Sequence, residues 1–159
     1  MAETLVDQIM KKVKQASELY HRLILVVAPA GAGKTTALRD VQKQTGARLV
    51  NVNLALSRRM LDLTERQRPL QLPRLLDEIV GKLLGELVLL DNIEVLFDSH
   101  LRQDPLRLLQ GLSRNKTVVA AWNGVFIARH LAYAIPGHPE HRSYSQTETS
   151  GLLVVQNEP

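Results

Sequence analysis

The sequence predicts an α/β domain in which a parallel sheet of about five strands is flanked by helices. Short apolar runs alternate with amphipathic segments, which is typical of parallel strands joined by helical crossovers. A glycine-rich loop stands between the first apolar run and a helical segment, and the third run ends in an aspartate. The chain has 159 residues and no Gly/Ser linker, so we expect a single domain over residues 1–159.

The predicted elements follow in a regular order. A helix lies within residues 1–20, the strand RLILVV follows, and the helix KTTALRDVQKQT ends at Gly46. The strand RLVNVN precedes two helices within residues 54–82, separated around Pro69 and Pro73. The strand ELVLL leads to Asp91, and Asp104 opens a helix over residues 105–112. TVVAAW is a fourth strand, VFIARHLAY (125–133) a short helix, residues 135–150 a loop, and GLLVV a fifth strand.

Composition limits the classes of function. There is no cysteine, which excludes disulfides and thiolate zinc sites and agrees with a cytoplasmic location. The N-terminus carries Glu3 and Asp7 and does not resemble a signal peptide, and no apolar run is long enough to span a membrane. The net charge of +4 permits an anionic partner without requiring one.

The stretch APAGAGKT predicts a phosphate-binding loop. Gly31 and Gly33 suit a backbone with positive φ, Lys34 would reach the β- and γ-phosphates, and the Thr35 hydroxyl would bind Mg²⁺. Ala28 stands where the usual pattern has glycine, which is tolerable if its φ stays negative. We therefore predict a P-loop NTPase that binds ATP with Mg²⁺. The residues expected to contact nucleotide are Pro29, Ala30, Gly31, Ala32, Gly33, Lys34, Thr35 and Thr36.

The segment LVLLDNIE places acids at the end of the third strand. Asp91 is the expected second ligand of Mg²⁺. Many ATPases have a glutamate next to this aspartate, but here Asn92 follows. If the strand continues, Asn92 and Glu94 point to the same side, so Glu94 is either the base that activates water or a solvated loop acid. Asn123 after the fourth strand is either a sensor of the γ-phosphate or part of an Asn-Gly turn.

Several other polar residues have two interpretations each. Arg114, and less strongly Arg129 and Arg142, are either arginine fingers for a neighbouring subunit or ordinary surface cations. The segment 58–74 is rich in arginine and either contacts nucleic acid or is a solvated face. A histidine-rich segment has no regular metal-ligand spacing and is expected to be structural or surface-exposed. Its members are His130, His138, Glu140 and His141.

The segments QRPLQLPRLLDEI, LLDNIEVLFD and GHPEHR, together with the glycine loop, resemble the BrxF family of small P-loop proteins from bacteriophage-exclusion (BREX) defence systems. The resemblance runs over nearly the whole chain. It implies a bacterial cytoplasmic protein that acts with a larger ATPase, a DNA methyltransferase and a phosphatase-like protein.

More distantly, the order of motifs is similar to that of AAA+ ATPases. Asn92 departs from that pattern, and few residues follow the last strand, so we expect an AAA+-like core without a helical lid. Such a core either binds nucleotide more weakly or is completed by a partner or another copy. The main expectation is an ATPase with Lys34, Glu94, Asn123 and Arg114 as catalytic candidates. The first alternative is a nucleotide-gated adaptor without turnover. A small-molecule kinase and a helicase fragment share the loop but lack an evident acceptor site and a second core domain, respectively.

Overall fold

The computed structural model describes residues 4–134 and 137–156. The helices are α1 (Leu5–Ala16), α2 (Lys34–Thr45), α3 (Val52–Met60), α4 (Gln67–Gly81) and α5 (Pro105–Leu112). The strands are β1 (Leu23–Ala28), β2 (Arg48–Asn51), β3 (Leu87–Asp91), β4 (Thr117–Ile127), β5 (His130–Tyr133), β6 (Arg142–Tyr144) and β7 (Leu153–Gln156). Two short 3₁₀ helices, Glu94–Phe97 and Ser99–Leu101, follow β3.

The predicted parallel sheet is confirmed. Five strands pair in the order β2-β3-β4-β1-β7, and every pair among them is parallel. Because the strands are parallel, their carboxyl ends meet at one edge of the sheet. In the register of β1 with β4, Ala28 lies beside Asn123, and in that of β2 with β3, Asn51 lies beside Asp91. The sheet thus brings the glycine loop and the predicted polar strand ends to the same edge.

Helices cover both faces of the sheet. In β1, Leu23, Leu25 and Val27 pack into the core formed with α3, α4 and α5. The alternate residues Ile24 and Val26 pack into a second core formed with α1 and α2. All of these side chains are buried, so β1 is apolar without interruption, as expected of a strand covered on both faces. None of the helices in the described ranges is long and apolar enough to cross a bilayer.

The two helices predicted between residues 54 and 82 exist, but the break is not at the prolines. The break lies between Met60 and Gln67, and both prolines are inside α4. Pro69 is in the first turn, where a missing N–H group costs little. Pro73 lacks the N–H group that would bond to the Pro69 carbonyl one turn earlier, and the side-chain amide of Gln103 donates to that carbonyl instead, at 2.8 Å.

The short helix predicted over residues 125–133 is wrong. β4 continues to Ile127 and pairs antiparallel with β5 through a two-residue turn. Both turn residues, Ala128 and Arg129, have positive φ (51° and 63°), as a tight hairpin turn requires. The following segment holds the turn, because Gln146 Nε2 donates to the Ala128 carbonyl at 2.9 Å and Thr149 Oγ1 to the Arg129 carbonyl at 2.6 Å.

The loop predicted over residues 135–150 is wrong in part. Arg142–Tyr144 forms β6, which pairs antiparallel with β5 and extends the hairpin to three strands. Tyr144 is buried and its hydroxyl donates to Asp104 at 2.9 Å, next to the first turn of α5. Residues 135 and 136 lie outside the described part of the chain, as do residues 1–3 of the predicted N-terminal helix.

Candidate nucleotide-binding site

The glycine loop has the backbone that the sequence predicts. Gly31 and Gly33 have φ of 80° and 90°, and Ala28, the last residue of β1, does not have a positive φ. A Cβ atom added at either glycine would meet no other atom within 4 Å. These positions therefore need glycine for its backbone freedom rather than for space. Gly33 is also the N-cap of α2, and no side chain in the described part of the chain caps that helix. Its positive end is thus open toward the loop.

Lys34 is buried inside its own loop. Its side chain is on the first residue of α2, is only 6% exposed, and donates to the carbonyls of Ala28 at 2.9 Å and Pro29 at 2.6 Å. Burial lowers the pKa of Lys34 below its ordinary value, while the nearby carboxylates of Asp91 and Glu94 act in the opposite direction. The ammonium group therefore has two backbone acceptors and one N–H bond left for a further acceptor.

Thr35 and Asp91 meet across the sheet edge. The Thr35 hydroxyl donates to Asp91 Oδ2 at 2.6 Å, although the two residues are 56 positions apart. The other carboxylate oxygen of Asp91 accepts the backbone N–H of Asn92 at 2.9 Å. A hydroxyl and a carboxylate in contact form the hard oxygen set that Mg²⁺ prefers when most other ligands are water and phosphate. The donor set thus fits the predicted metal ligands.

Glu94 reaches the site by a different route from the one the sequence suggests. β3 ends at Asp91, so the condition that the strand continues to Glu94 is not met: Asn92 has φ of 53° and the chain leaves the sheet there. Glu94 instead begins the first 3₁₀ helix. Its carboxylate nevertheless faces the same cavity as Lys34.

Two asparagine amides hold the Glu94 carboxylate. Asn123 Nδ2 donates to Oε1 at 2.9 Å, and Asn53 Nδ2 donates to Oε2 at 3.1 Å. The Asn53 carbonyl oxygen accepts the backbone N–H of Val95 at 2.7 Å, which fixes the orientation of that amide. The alternative that Asn123-Gly124 forms a turn is wrong, because both residues lie within β4.

Asn53 was not among the site residues predicted from the sequence. It is the second residue of α3, two positions after the end of β2. Asp91 ends β3 and Asn123 follows the buried part of β4 at the same edge of the sheet. The rule that singled out those two residues, a polar side chain at the carboxyl end of a parallel strand, also applies to Asn53.

These groups line one cavity of about 410 Å³, a size in the range of small-molecule sites. The lining residues are Ala30, Gly31, Gly33, Lys34, Thr35, Thr36, Asp91, Asn92, Glu94 and Asn123. Of the other predicted contacts, Pro29 offers its carbonyl to Lys34, and Ala32 is not part of the lining. The lining holds one cationic side chain and two carboxylates, so a polyphosphate would need a further cation for charge balance.

The predicted arginine fingers lie away from the cavity. Arg114 precedes β4 at the opposite edge of the sheet, about 20 Å from Asn123 at the usual rise of a strand. Its guanidinium lies 5.8 Å from the ring centre of Tyr20. It cannot contact its own cavity, and a role in a neighbouring subunit stays a prediction. Arg129 and Arg142 donate to backbone carbonyls and hold loops in place.

The remaining candidate groups do not converge on a metal. Among the described residues, no group of three or more His, Asp or Glu side chains is placed to hold a metal ion. His138 instead accepts the backbone N–H of Glu140 at 3.0 Å. In the basic 58–74 segment, Arg59 and Arg74 both pair with Glu78, at 3.2 and 2.8 Å.

In comparisons with known proteins, no family model matches this chain, and no curated protein is significantly similar to it in sequence.

Proposed function

We propose that this protein is a P-loop NTPase with an AAA+-like core that binds ATP with Mg²⁺ and hydrolyses it. The observation that carries the proposal is the convergence of Lys34, Thr35 and Asp91 on one cavity at the open end of α2. A glycine loop, a buried lysine and a hydroxyl–carboxylate pair supply the backbone donors, the cation and the oxygen ligands that a metal-bound triphosphate requires.

Each residue has a distinct task in this proposal. Lys34 would donate its remaining N–H bond to a phosphate oxygen and stabilise the charge that develops during transfer. Thr35 and Asp91 would hold Mg²⁺, which supplies charge neutralisation and orients the phosphates. Glu94 would accept the proton of the attacking water, and Asn53 and Asn123 would position its carboxylate.

A second candidate is a nucleotide-gated adaptor that binds ATP without hydrolysing it. The observation that favours it is that both Glu94 oxygens already accept a hydrogen bond from an asparagine amide. These bonds occupy one lone pair on each oxygen and restrict the positions from which an attacking water could contact the carboxylate. The same cavity then acts as a switch, with its output in the contacts that the protein makes with partners.

The biological setting in this proposal comes from the resemblance to the BrxF family. We propose a cytoplasmic energy or switch component of a BREX phage-defence system that acts with a larger ATPase, a methyltransferase and a phosphatase-like protein. Self-association would bring a second cationic side chain to the cavity, whose lining holds only Lys34. Arg114 is the candidate, because it lies at the opposite edge of the sheet and could reach the cavity of a neighbouring copy.

The binding step is tested by calorimetry with ATP and Mg²⁺ on the wild type, Lys34→Ala and the matched control Lys43→Ala, which removes an exposed cation from the same helix. Loss of a charged hydrogen-bond donor predicts an affinity about 10- to 100-fold weaker for Lys34→Ala and a nearly unchanged value for the control. Equal affinities for the wild type and Lys34→Ala would contradict the loop assignment.

The catalytic step is tested by single-turnover hydrolysis over a range of protein concentrations. A rate that rises more than linearly with concentration supports an ATPase completed by self-association. ATP that is bound but stays intact at every concentration supports the adaptor.

A further inference from the structure

A second and larger groove lies on the face of the sheet that α3, α4 and α5 cover. It is separate from the cavity lined by Gly31, Lys34 and Asp91, which we call the nucleotide cavity. It has a volume of about 870 Å³ and lies between the start of α4 and the second 3₁₀ helix. We name it the arginine groove after the residues that characterise it, which are Arg66, Arg68, Leu70, His100, Arg102 and Gln103. It shares no lining residue with the nucleotide cavity.

The walls of the arginine groove are braced against each other. Gln103 Nε2 donates to the carbonyls of Pro69 at 2.8 Å and Leu101 at 2.7 Å, which joins α4 to the second 3₁₀ helix. The Gln103 carbonyl accepts from Arg142 at 2.5 Å, and Arg68 Nε donates to the last residue of α3 at 3.3 Å. The groove is therefore a formed feature rather than a gap between loose segments.

Two arginines of the groove have no side-chain partner within the described part of the chain. The side chains of Arg66 and Arg102 are exposed and make no hydrogen bond or ion pair there, whereas Arg59 and Arg74 outside the groove both pair with Glu78. Arg102 also has φ of 52°, a conformation that costs a residue other than glycine about 1 kcal/mol. A strained, unpaired arginine facing a groove suggests a binding role, because such strain tends to be kept at functional positions.

The groove also presents apolar surface. Leu70 is 79% exposed, and the groove lining continues over Pro69 and the buried Leu101. An exposed leucine beside unpaired guanidinium groups matches a ligand that carries both an apolar side chain and carboxylates. Arginine suits such a ligand because its planar fork binds a carboxylate through two hydrogen bonds.

The same lining argues against a nucleic-acid ligand. Glu65 and Asp98 also line the groove, so three arginines stand against two carboxylates. This small excess of positive charge suits a segment that places one or two carboxylates on Arg66 and Arg102, but not the continuous negative charge of a phosphate backbone. Asp98 is partly engaged, since it accepts the backbone N–H of His100 at 2.9 Å. The lining includes no Phe, Tyr or Trp on which a base could stack. An excess of one cation over the carboxylates cannot supply the several phosphate contacts on which affinity for a duplex depends.

We propose that the arginine groove is a docking site for an acidic segment of a partner protein, with an apolar side chain of that segment against Leu70 and its carboxylates on Arg66 and Arg102. The proposal does not depend on nucleotide binding, because it uses none of the residues of the nucleotide cavity.

The test is a selection of phage-displayed random peptides against the full chain, in parallel with a groove variant that combines Arg66→Ser, Leu70→Ser and Arg102→Asn. All three residues are exposed, and asparagine tolerates the backbone of residue 102, so the variant is expected to fold. A control variant, Lys14→Ser with Lys43→Ser, removes two exposed cations elsewhere. Selected peptides and a short DNA duplex are then titrated by fluorescence anisotropy at near-physiological salt.

The expected result is enrichment of peptides with carboxylates around an apolar residue. Their affinity should fall about tenfold or more in the groove variant and stay nearly constant in the control. The proposal would be overturned if the wild type enriched no peptides beyond those that the groove variant enriches. It would also be overturned if the selected peptides bound the wild type and the groove variant with equal affinity. A DNA duplex that binds the wild type and is lost in the groove variant would also overturn it and assign the groove to nucleic acid.

Discussion

The pair of amides around Glu94 makes the substitution Glu94→Gln unusually informative. Glutamine has one acceptor oxygen, but the two neighbours, Asn53 and Asn123, both present Nδ2 donors to the carboxylate. Asn53 cannot turn its amide, because its oxygen accepts the Val95 N–H at 2.7 Å. Asn123 makes no other side-chain hydrogen bond among the described residues and is free to rotate its amide. We therefore expect Asn123 to flip and to accept from the new glutamine.

This rearrangement sets the expected size of the structural effect. Two hydrogen bonds to a charged acceptor, worth about 1.5–3 kcal/mol each, become two neutral ones worth about 0.5–1.5 kcal/mol each. Glu94 is half-buried, so solvent reduces the difference, and the free energy of unfolding should fall by about 1–2 kcal/mol. In contrast, Glu94→Ala removes both acceptors and should destabilise the protein more.

The catalytic effect should be much larger than the structural one. Loss of a general base lowers the rate of the chemical step by about 10²- to 10⁴-fold. Lys34 and Thr35 are unchanged in Glu94→Gln, so ATP affinity should stay close to that of the wild type. Urea denaturation, calorimetry with ATP and single-turnover hydrolysis measure the three quantities. A turnover rate in Glu94→Gln equal to that of the wild type would refute Glu94 as the base. A loss of stability well above 3 kcal/mol, which is about twice the loss expected from the hydrogen bonds, would refute the amide flip.

Three further predictions concern two glycines and one titrating side chain. Gly33→Ala should lower the free energy of unfolding by about 1–2 kcal/mol through its positive φ alone. The control Gly111→Ala, inside α5, should raise it by about 0.5–1 kcal/mol. Urea denaturation measures both values, and equal effects of the two substitutions would contradict the loop conformation. Gly124→Ala should cost about 1–3 kcal/mol, because the new Cβ atom would lie 1.9 Å from the Ala132 carbonyl oxygen, and unchanged thermal stability would argue against this hairpin packing. Because burial lowers the pKa of Lys34, the side chain loses its charge at a lower pH than the ordinary 10.5. The affinity for ATP should therefore weaken as the pH rises from neutrality toward 10.5. Constant affinity in calorimetry across this range would contradict the prediction.

The sheet and the glycine loop were predictable because local signals and the final fold agree. β1 and β3 are short apolar runs with turn residues at their ends, and these signals match a buried parallel strand. The loop residues Gly31 and Gly33 have the positive φ that their pattern predicts. Helix α5 has the predicted bounds, since Asp104 caps it and Pro105 occupies its first turn.

The hairpin was not predictable because its turn carries no local signal. Ala128 and Arg129 are not the usual residues of a turn with two positive φ angles, and both residue types have a high helix propensity. Contacts with Gln146 and Thr149, far along the chain, hold the turn instead. Asn53 shows a different limit, since its role depends on the turn at Asn92 that brings Glu94 back toward β2.

Two elements connect the nucleotide cavity with the arginine groove. Helix α3 has Asn53 at its start and Met60 at its end, where the Met60 carbonyl accepts from Arg68 of the groove wall. The first 3₁₀ helix begins at Glu94 and is followed directly by Asp98 of the same groove. Any coupling between two such sites is reciprocal: the factor by which a docked partner changes nucleotide affinity equals the factor by which nucleotide changes the affinity of the partner. A protein built in this way would change its affinity for a partner when it binds nucleotide, through a helix that spans only about 10 Å between Asn53 and Met60.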